Sequence, residues 1–480
     1  MRFSTTIGLI FVLSAVGLTY EIAAGRVLAP FYGTSLLTWT AVIATVLAGF
    51  SVGNAVGGFL AERPSAIAAR DTVRILIGTA VLMAVSPIVL SVVYGIGARG
   101  TLGMFMGVIL AFFPASVLVS APSPYLAKLA VEARPGREGS SLGLVLAAGS
   151  SGAILGAILA GFVALPFAGS AATFAGCGAV ALLCVPFLPG GLRGSLAALL
   201  PAALLVAASF TTGAVCRYES GISCIDTARS GATISLYSDR TRQAAERIDP
   251  AGDTALELDY TRWLWDRLDR DLGPDPRVLF IGGGGYSLPD TLLRDRPGAR
   301  ATAVEIDPLV TQVVRETMPR AADTLAREGF DAWPETSGTL TGEGRLAIVH
   351  EDGRVFLNET ARRFDAAVMD AFSSGSVPAH LATRETYERL ALIVDGPVYV
   401  NLIGPPDGPL ARGLHAILSE IYPHVAAVRG PLGATGRTNV LLAASDRPLP
   451  PLDTLPEGYA LLDIAPGRVF TDDRGWIGHR

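Results

Sequence analysis

Lysine is almost absent from this sequence: Lys128 is the only one among 480 residues, and no basic stripe takes its place. With a net charge of −5, the chain lacks the clustered cations that phosphate-backbone binding requires, which argues against a nucleic-acid partner. The near-exclusive use of arginine is the kind of bias that genomic base composition produces. Cysteine is scarce as well: four residues, with no CxxC pair and no His/Cys ligand cluster, so no metal site is expected. Charge of either sign is low overall, at 17% against roughly 25% in soluble domains.

That deficit is concentrated in the first half. Up to Val215 only fifteen residues are charged. Between them lie apolar runs near 5–25, 36–60, 75–97, 101–122, 142–166, 170–189 and 194–215, and a bilayer crossing needs about 20 such residues. A cleaved signal peptide would explain the first run alone. "GFSVGNAVGGFLAERP" and "GSSGAILGAILAGF" carry Gly, Ala and Ser at helical spacing, which lets helix backbones approach closely in lipid. Glu21 lies within the first run, where a carboxylate is costly unless paired; Arg26, five residues on, is the candidate partner. Arg63, Arg70, Arg74, Lys128, Arg134, Arg137 and Arg193 fall in alternate loops on the side of Arg2. The positive-inside rule then puts the N-terminus in the cytoplasm. An odd number of spans sends the second half outside. A disulfide between Cys216 and Cys224 would suit that oxidising side. One miscounted or re-entrant segment would reverse that placement, so the face carrying the second half stays open.

After Val215 charges become frequent, and all five histidines (His350, His380, His415, His424, His479) occur there. "ATISLYSD" (232–239) alternates like a strand and "YTRWLWDRLDRDL" (260–272) like an amphipathic helix, suggesting a small β-rich segment at about 225–265. A βα series follows: strands at "RVLFI" (277–281), "ATAVEI" (301–306), "RLAIVHEDG" (345–353), "FDAAVMD" (364–370) and "GPVYVNLI" (396–403). Strands separated by helices imply a parallel, doubly wound sheet, whose ligands bind beyond the carboxyl ends of the strands. The expected fold is therefore multi-domain. An all-α transmembrane bundle of about seven helices occupies 1–215. A small β-rich segment and linker covers 216–270, and an α/β Rossmann-like, methyltransferase-type domain covers 271–480.

Several candidate site residues cluster at those strand ends. Gly282, Gly283 and Gly284 in "VLFIGGGGYSLPDTLL" allow close backbone approach to a ligand ahead of a helix N-terminus. Glu305 closes the second strand, where a carboxylate accepts from ribose hydroxyls; Asp307 beside it suits helix capping. Asp352 and Gly353 in "EDGR" suit either an adenine amino group or an Asp-Gly turn. Asp370 follows an apolar strand and precedes the Ser/Gly-rich "AFSSGSVPAHLATRETY", a place for a base or for a group that orients an amine.

The second half resembles spermidine synthase, the polyamine aminopropyltransferases. The whole chain resembles the membrane-fused bacterial members in which transporter-like helices precede the synthase domain. The resemblance rests on "LTYEIAAGRVLAPFYG", "LELDYTRWLW", "IGGGGYSLPDTLL", "AVEIDP", "EDGRVFL", "FDAAVMDAFSSGSVPAHLATRETY" and "VFTDD", in order. It implies transfer of an aminopropyl or aminocarboxypropyl group from decarboxylated S-adenosylmethionine, or S-adenosylmethionine itself, to an amine such as putrescine, with release of methylthioadenosine. Asp370 would be the catalytic aspartate and Tyr260 the acceptor-side tyrosine. Gly282, Gly283, Gly284, Glu305, Asp307, Asp352 and Gly353 would hold the nucleoside as a co-substrate, with no tightly bound cofactor. The implied setting is a multi-pass bacterial inner-membrane protein whose partners are the lipid bilayer and a small-molecule amine or lipid acceptor; homo-oligomerisation is left open.

Two departures stand out. Gly285 stands where the family has an acid after three glycines, and Ser373 where it has a second acid beyond the catalytic one. Those acids hold the amino groups of donor and acceptor. Their loss makes room for a donor that keeps its carboxylate, for an acceptor other than a polyamine, and for a lyase-type reaction. A methyltransferase, and a transporter or sensor with an idle nucleoside-binding domain, are the alternatives. NAD chemistry fits poorly, because no proton donor is evident in a substrate domain.

Overall fold

The computed structural model describes residues 1–33, 35–189, 195–212, 215–248, 256–333, 344–372 and 378–473. Arg193, Ser373 and His479 lie outside the described residues, as does part of the loop after Asp370. The chain divides into two compact units, Met1–Cys224 and Ile225–Arg480.

The first unit is helical: α1 (Phe3–Tyr32), α2 (Leu36–Ala61), α3 (Ser65–Gly95), α4 (Gly100–Ser120), α5 (Pro122–Glu132), α6 (Glu138–Leu159), α7 (Leu165–Cys184) and α8 (Leu196–Thr212), followed by a short strand, β1 (Tyr218–Glu219). Among the described residues five helical stretches are long and apolar enough to cross a membrane, the last running from Glu138 to Phe187. A straight helix of that length would reach about 75 Å, more than twice a bilayer's hydrocarbon thickness. It is broken at Gly169, whose φ of 76° and ψ of 174° leave helical space in a region open mainly to glycine. Thr173 donates its hydroxyl to the Gly169 carbonyl at 2.7 Å, and Ser170 bonds Glu219. The break falls in the gap between the two apolar runs, 142–166 and 170–189, which are therefore two helical segments that meet at a glycine kink.

Small residues set the helix contacts. A Cβ on Gly53 or Gly57 would overlap the carbonyls of Val117 and Ala121, and one on Gly152 or Gly156 those of Phe11 and Ala15. Backbones thus meet directly where α2 packs on α4 and α6 on α1. The expected Glu21–Arg26 pair is not formed. Five residues are about 1.4 turns, so the two side chains leave α1 in different directions. Arg26 Nε donates to the Ser220 carbonyl at 3.3 Å, and Glu21 Oε2 is buried without a hydrogen-bond partner. Cys216 and Cys224 form a disulfide with their Cα atoms 5.7 Å apart.

The second unit opens with three antiparallel strands, β2 (Cys224–Ser230), β3 (Thr233–Ser238) and β4 (Thr241–Arg247). Helix α9 (Asp259–Asp271) leads into the βα series. In chain order this is β5 (Arg277–Ile281), α10 (Ser287–Asp295), β6 (Arg300–Val304), α11 (Pro308–Thr317), α12 (Pro319–Glu328), β7 (Gly329–Asp331), β8 (Leu346–Val349), α13 (Gly353–Glu359), β9 (Ala366–Met369), α14 (Arg384–Ile393), β10 (Val398–Gly404), α15 (Pro409–Ile421), β11 (His424–Arg429), β12 (Thr438–Ser445) and β13 (Ala460–Leu461). The sheet order is β13-β11-β12-β10-β9-β5-β6-β8-β7. Strands β5, β6, β7, β8, β9 and β10 pair in parallel. The sheet is not wholly parallel as expected: β12 runs antiparallel to β10, and β11 to β12. The short β11–β12 connection admits no crossover helix, so it must make a hairpin. After β5 the chain moves outward through β6 to β8, then returns with β9 on the other flank of β5. That reversal opens a crevice between the carboxyl ends of β5 and β9, where such folds bind ligands.

A buried ion pair ties α9 to this sheet. Arg267 and Asp271 meet at 2.7 Å with side-chain exposures of 3% and 8%; Tyr399 of β10 donates to Asp271 at 2.7 Å, and Arg267 donates to the Pro450 carbonyl. Arg267→Ala leaves Asp271 buried without its cation and should destabilise the second unit by about 3–5 kcal/mol. Urea unfolding of the detergent-purified chain, followed by tryptophan fluorescence, should show the transition at markedly lower denaturant. An unmoved midpoint would mean that the pair contributes nothing.

Candidate active site

The glycine turn is shaped by three left-handed residues, Gly282 (φ 100°), Gly284 (φ 48°) and Tyr286 (φ 57°). A Cβ on Gly282 would stand 2.5 Å from the Asp370 carbonyl oxygen, so only glycine lets the end of β5 pass so close to the end of β9. Tyr286 tolerates its strained backbone because the ring is buried and its hydroxyl bonds Thr311 Oγ1 at 2.7 Å. That anchors the turn to α11.

Glu305 ends β6 and turns its carboxylate onto the same turn. Oε2 accepts from the Gly283 and Gly284 N–H groups at 3.0 and 3.1 Å, and Oε1 from the Asp307 N–H at 3.0 Å. Burial raises its pKa, opposed by those N–H groups. In this structure Glu305 therefore organises the turn's backbone. Asp307 caps α11, accepting from the Leu309 N–H at 3.0 Å, and is buried. Asp352 caps α13 through the N–H groups of Arg354 and Val355, with its other oxygen 2.9 Å from His380 Nε2. Gly353 packs against Ile281 of β5, whose Cγ2 would lie 2.6 Å from an added Cβ.

Asp370 closes β9. Asn401 Nδ2 donates to Oδ1 at 2.7 Å and the Tyr260 hydroxyl to Oδ2 at 3.1 Å. Asn401 is itself held by Asn439 Nδ2 at 2.9 Å. The carboxyl keeps an opening to the cavity, yet the surrounding protein desolvates it and raises its pKa to about 6, against the pull of both donors. Tyr260 is pushed well above the usual phenol range, by burial first and by Asp370 second, so it stays a neutral donor. Asp370, Tyr260 and Gly282 to Gly285 line one cavity, together with Gln243 and Ala244 of β4. Glu305 touches the turn but not this lining, and Asp307 and Asp352 lie outside it. Asn401, Asn439 and His380 were not singled out from sequence. The signal for Asn401 was available: a lone amide inside the apolar strand "VYVNLI", where a buried polar group must find partners. At neutral pH the arrangement offers one ionised carboxylate between neutral donors, able to pair with a cation or take its proton. Among the described residues no His/Cys/Asp/Glu group could hold a metal ion.

No protein-family model matches the chain. Over 146 residues it is 29% identical to the polyamine aminopropyltransferase of Vibrio vulnificus, covering 30% of this chain and 42% of that protein. Over 99 residues it is 32% identical to the one of Ruegeria sp., covering 21% and 30%. Polyamine aminopropyltransferase 1 of Streptomyces coelicolor aligns over 421 residues at 26% identity, 82% of this chain and 75% of that protein. The chain thus spans less than half the length of the first two relatives and three quarters of the third. Among solved structures, a probable spermidine synthase from Corynebacterium glutamicum superposes with a TM-score of 0.39 at 20% identity, covering 48% of this chain and 79% of that one. By its sequence relatives the chain is similar to polyamine aminopropyltransferases.

The Asp370 geometry has a titration consequence. A raised carboxyl pKa means that the neutral form suits the fold. The associated stability is complete below about pH 4, the reference carboxyl value, and is lost as pH rises through the folded pKa, here about 6. Infrared titration of the carboxyl band should place the Asp370 midpoint near 6. Tyr260→Phe and Asn401→Leu, each removing a donor to the carboxylate, should both move it higher. Midpoints unchanged in both variants would show that these bonds do not hold the charge.

Proposed function

We propose that this chain is a membrane-attached transferase of the aminopropyltransferase type, moving an aminopropyl or aminocarboxypropyl group from a sulfonium nucleoside to an amine. The observation that carries this reading is the Asp370 carboxylate, set between Tyr260 and Asn401 in one cavity with the glycine turn. The sequence likeness to polyamine aminopropyltransferases supports it.

In this reading the acceptor enters as an ammonium, whose reference pKa lies near 10.4 for a lysine-like amine. Asp370 pairs with it and takes its proton. The freed lone pair attacks the carbon beside the sulfonium; a C–N bond forms, the C–S bond breaks with its electrons going to sulfur, and neutral methylthioadenosine leaves. Tyr260 and Asn401 fix the carboxylate's direction, so positioning of the amine against the carbon supplies much of the rate. Glu305, at the end of β6, suits the ribose hydroxyls once its oxygens leave the turn. Asp352, at the end of β8, suits the adenine amino group, with Asp307 and Gly353 shaping the two strand ends. The nucleoside is a co-substrate that departs as product.

The helical unit is proposed to span the bilayer, which supports a lipid-borne amine as one acceptor. Five long apolar stretches, the charge bias of the alternate loops and the Cys216–Cys224 disulfide support placing the end of that unit on the oxidising side. Cys177 and Cys184 are buried and do not interfere. In intact cells a membrane-impermeant maleimide should label Cys216 and Cys224 only after treatment with an impermeant reductant. Labelling that needs cell lysis would put this end in the cytoplasm.

Asp370→Asn should lower kcat by about 10²–10⁴-fold, the usual size of a general acid–base role. Nucleoside affinity should stay within about 1 kcal/mol, less than a tenfold change. Detergent-purified protein given the nucleoside and putrescine, with every adenosyl product identified by mass, checks both. Unchanged turnover removes Asp370 from the chemistry, and S-adenosylhomocysteine in place of methylthioadenosine makes the protein a methyltransferase.

A further inference from the structure

We propose that the donor keeps its carboxylate: the cavity is built for S-adenosylmethionine, and the group handed on is aminocarboxypropyl. This rests on the transferase reading above and specifies its donor.

The first argument is charge. Among the described residues the cavity wall contains one carboxylate, Asp370; the glycine turn, Gln243, Ala244, Tyr260 and Thr261 are neutral. Glu305 lies outside this lining, its oxygens directed at the turn's N–H groups or, in the reading above, at the ribose, so it does not face the donor's amino group. A decarboxylated donor would bring a sulfonium and an ammonium, and the acceptor at least one more ammonium. Buried charges must be paired, and one carboxylate cannot balance three cations. A donor with its own carboxylate brings a negative charge in with it and cuts the deficit from two charges to one.

The second argument is space. Gly285 lines the cavity, so a side chain there would project from the turn toward β4. A Cβ there would overlap the Cβ of Ala244 on β4, and it would lie 3.4 Å from Met318 Cε. No acid can occupy position 285 while Ala244 stays where it is. The pair Gly285–Ala244 therefore excludes a negative charge from this side of the cavity.

The third argument is what lies beside it. Helix α10 starts at Ser287, and its N-cap, Tyr286, makes no side-chain capping bond. Ser287 and Leu288 both line the cavity. The first N–H groups of a helix have no intrahelical partner and favour an anion. The donor's carboxylate is the anion available in the cavity that the amine chemistry leaves uncommitted.

The step balances without another reagent. The acceptor's nitrogen bonds to the donor's γ-carbon, the C–S bond breaks with its electron pair going to sulfur, and methylthioadenosine leaves neutral. The proton lost by the acceptor goes to Asp370. The product carries an amino-acid group where an aminopropyl transfer would leave a simple amine.

Equilibrium dialysis of the detergent-purified full chain against S-adenosylmethionine and its decarboxylated form tests the assignment, together with the mass of the acceptor product. The carboxylated donor should bind at least about tenfold tighter, the scale of one charge-assisted contact. The product should be heavier than an aminopropyl adduct by one carboxyl group. The double variant Ala244→Gly/Gly285→Asp makes room for an acid and should reverse the preference. Tighter binding of the decarboxylated donor by wild-type protein, or an aminopropyl product, overturns the proposal while leaving the transferase reading intact. Binding of neither donor overturns both. A double variant that binds both donors with the wild-type preference overturns the spatial argument on which the assignment stands.

Discussion

The second unit is organised around the problem of keeping one carboxylate charged in a place with little water. Asp370 is desolvated enough that its pKa rises to about 6, and an uncompensated carboxylate there would simply bind a proton. Two neutral donors prevent that at neutral pH, and each comes from a different element: Tyr260 from α9 and Asn401 from β10. The placement of both elements is itself over-determined. Asn401 is fixed by Asn439 on the antiparallel neighbour β12, and α9 is fixed by the Arg267–Asp271–Tyr399 network. Because Tyr260 is pushed to a higher pKa, its phenol stays a neutral donor to the carboxylate.

The glycine turn answers to the same geometry. With β9 beside β5, the first residue after β5 must run against the Asp370 backbone, which leaves space for no side chain at Gly282. The turn's exposed N–H groups then need acceptors, and Glu305 supplies one oxygen to two of them. A nucleoside that takes up Glu305 must therefore offer the turn something in return. Under the proposed function, pre-organisation of the turn and recognition of the ribose would compete for this one side chain.

The parts of this arrangement legible in sequence are those written as local pattern. Apolar runs that end in Gly, Glu or Asp gave the five strands and their carboxyl ends, and the run of small residues on α2 and α6 marked the helix contacts that the Gly53, Gly57, Gly152 and Gly156 packing displays. What escaped depends on partners far along the chain. The pairing of Asn401 with Asp370 requires that β10 lie next to β9, and its support by Asn439 requires that β12 turn back antiparallel. Strand direction is not encoded in apolar periodicity. Glu21 and Arg26 show the reverse error: adjacency in sequence suggested a pair, and helical geometry separated them.

Gly285 and Ala244 belong to the second kind, and they show why the missing acid could be seen in sequence but not explained there. A glycine at one turn position reads as a simple loss. In the structure it is one side of a contact with β4, so the two residues constrain each other: an acid at 285 needs glycine at 244, and alanine at 244 forbids anything but glycine at 285. Neither residue can drift alone toward an acidic pocket without displacing β4, which also carries Glu246, the acceptor for the Arg320 and Ala321 N–H groups at the start of α12. The neutral wall of the cavity is thus tied to the docking of the β-rich segment onto the sheet, and the charge that this site presents to a ligand is set by packing as much as by the choice of catalytic residues.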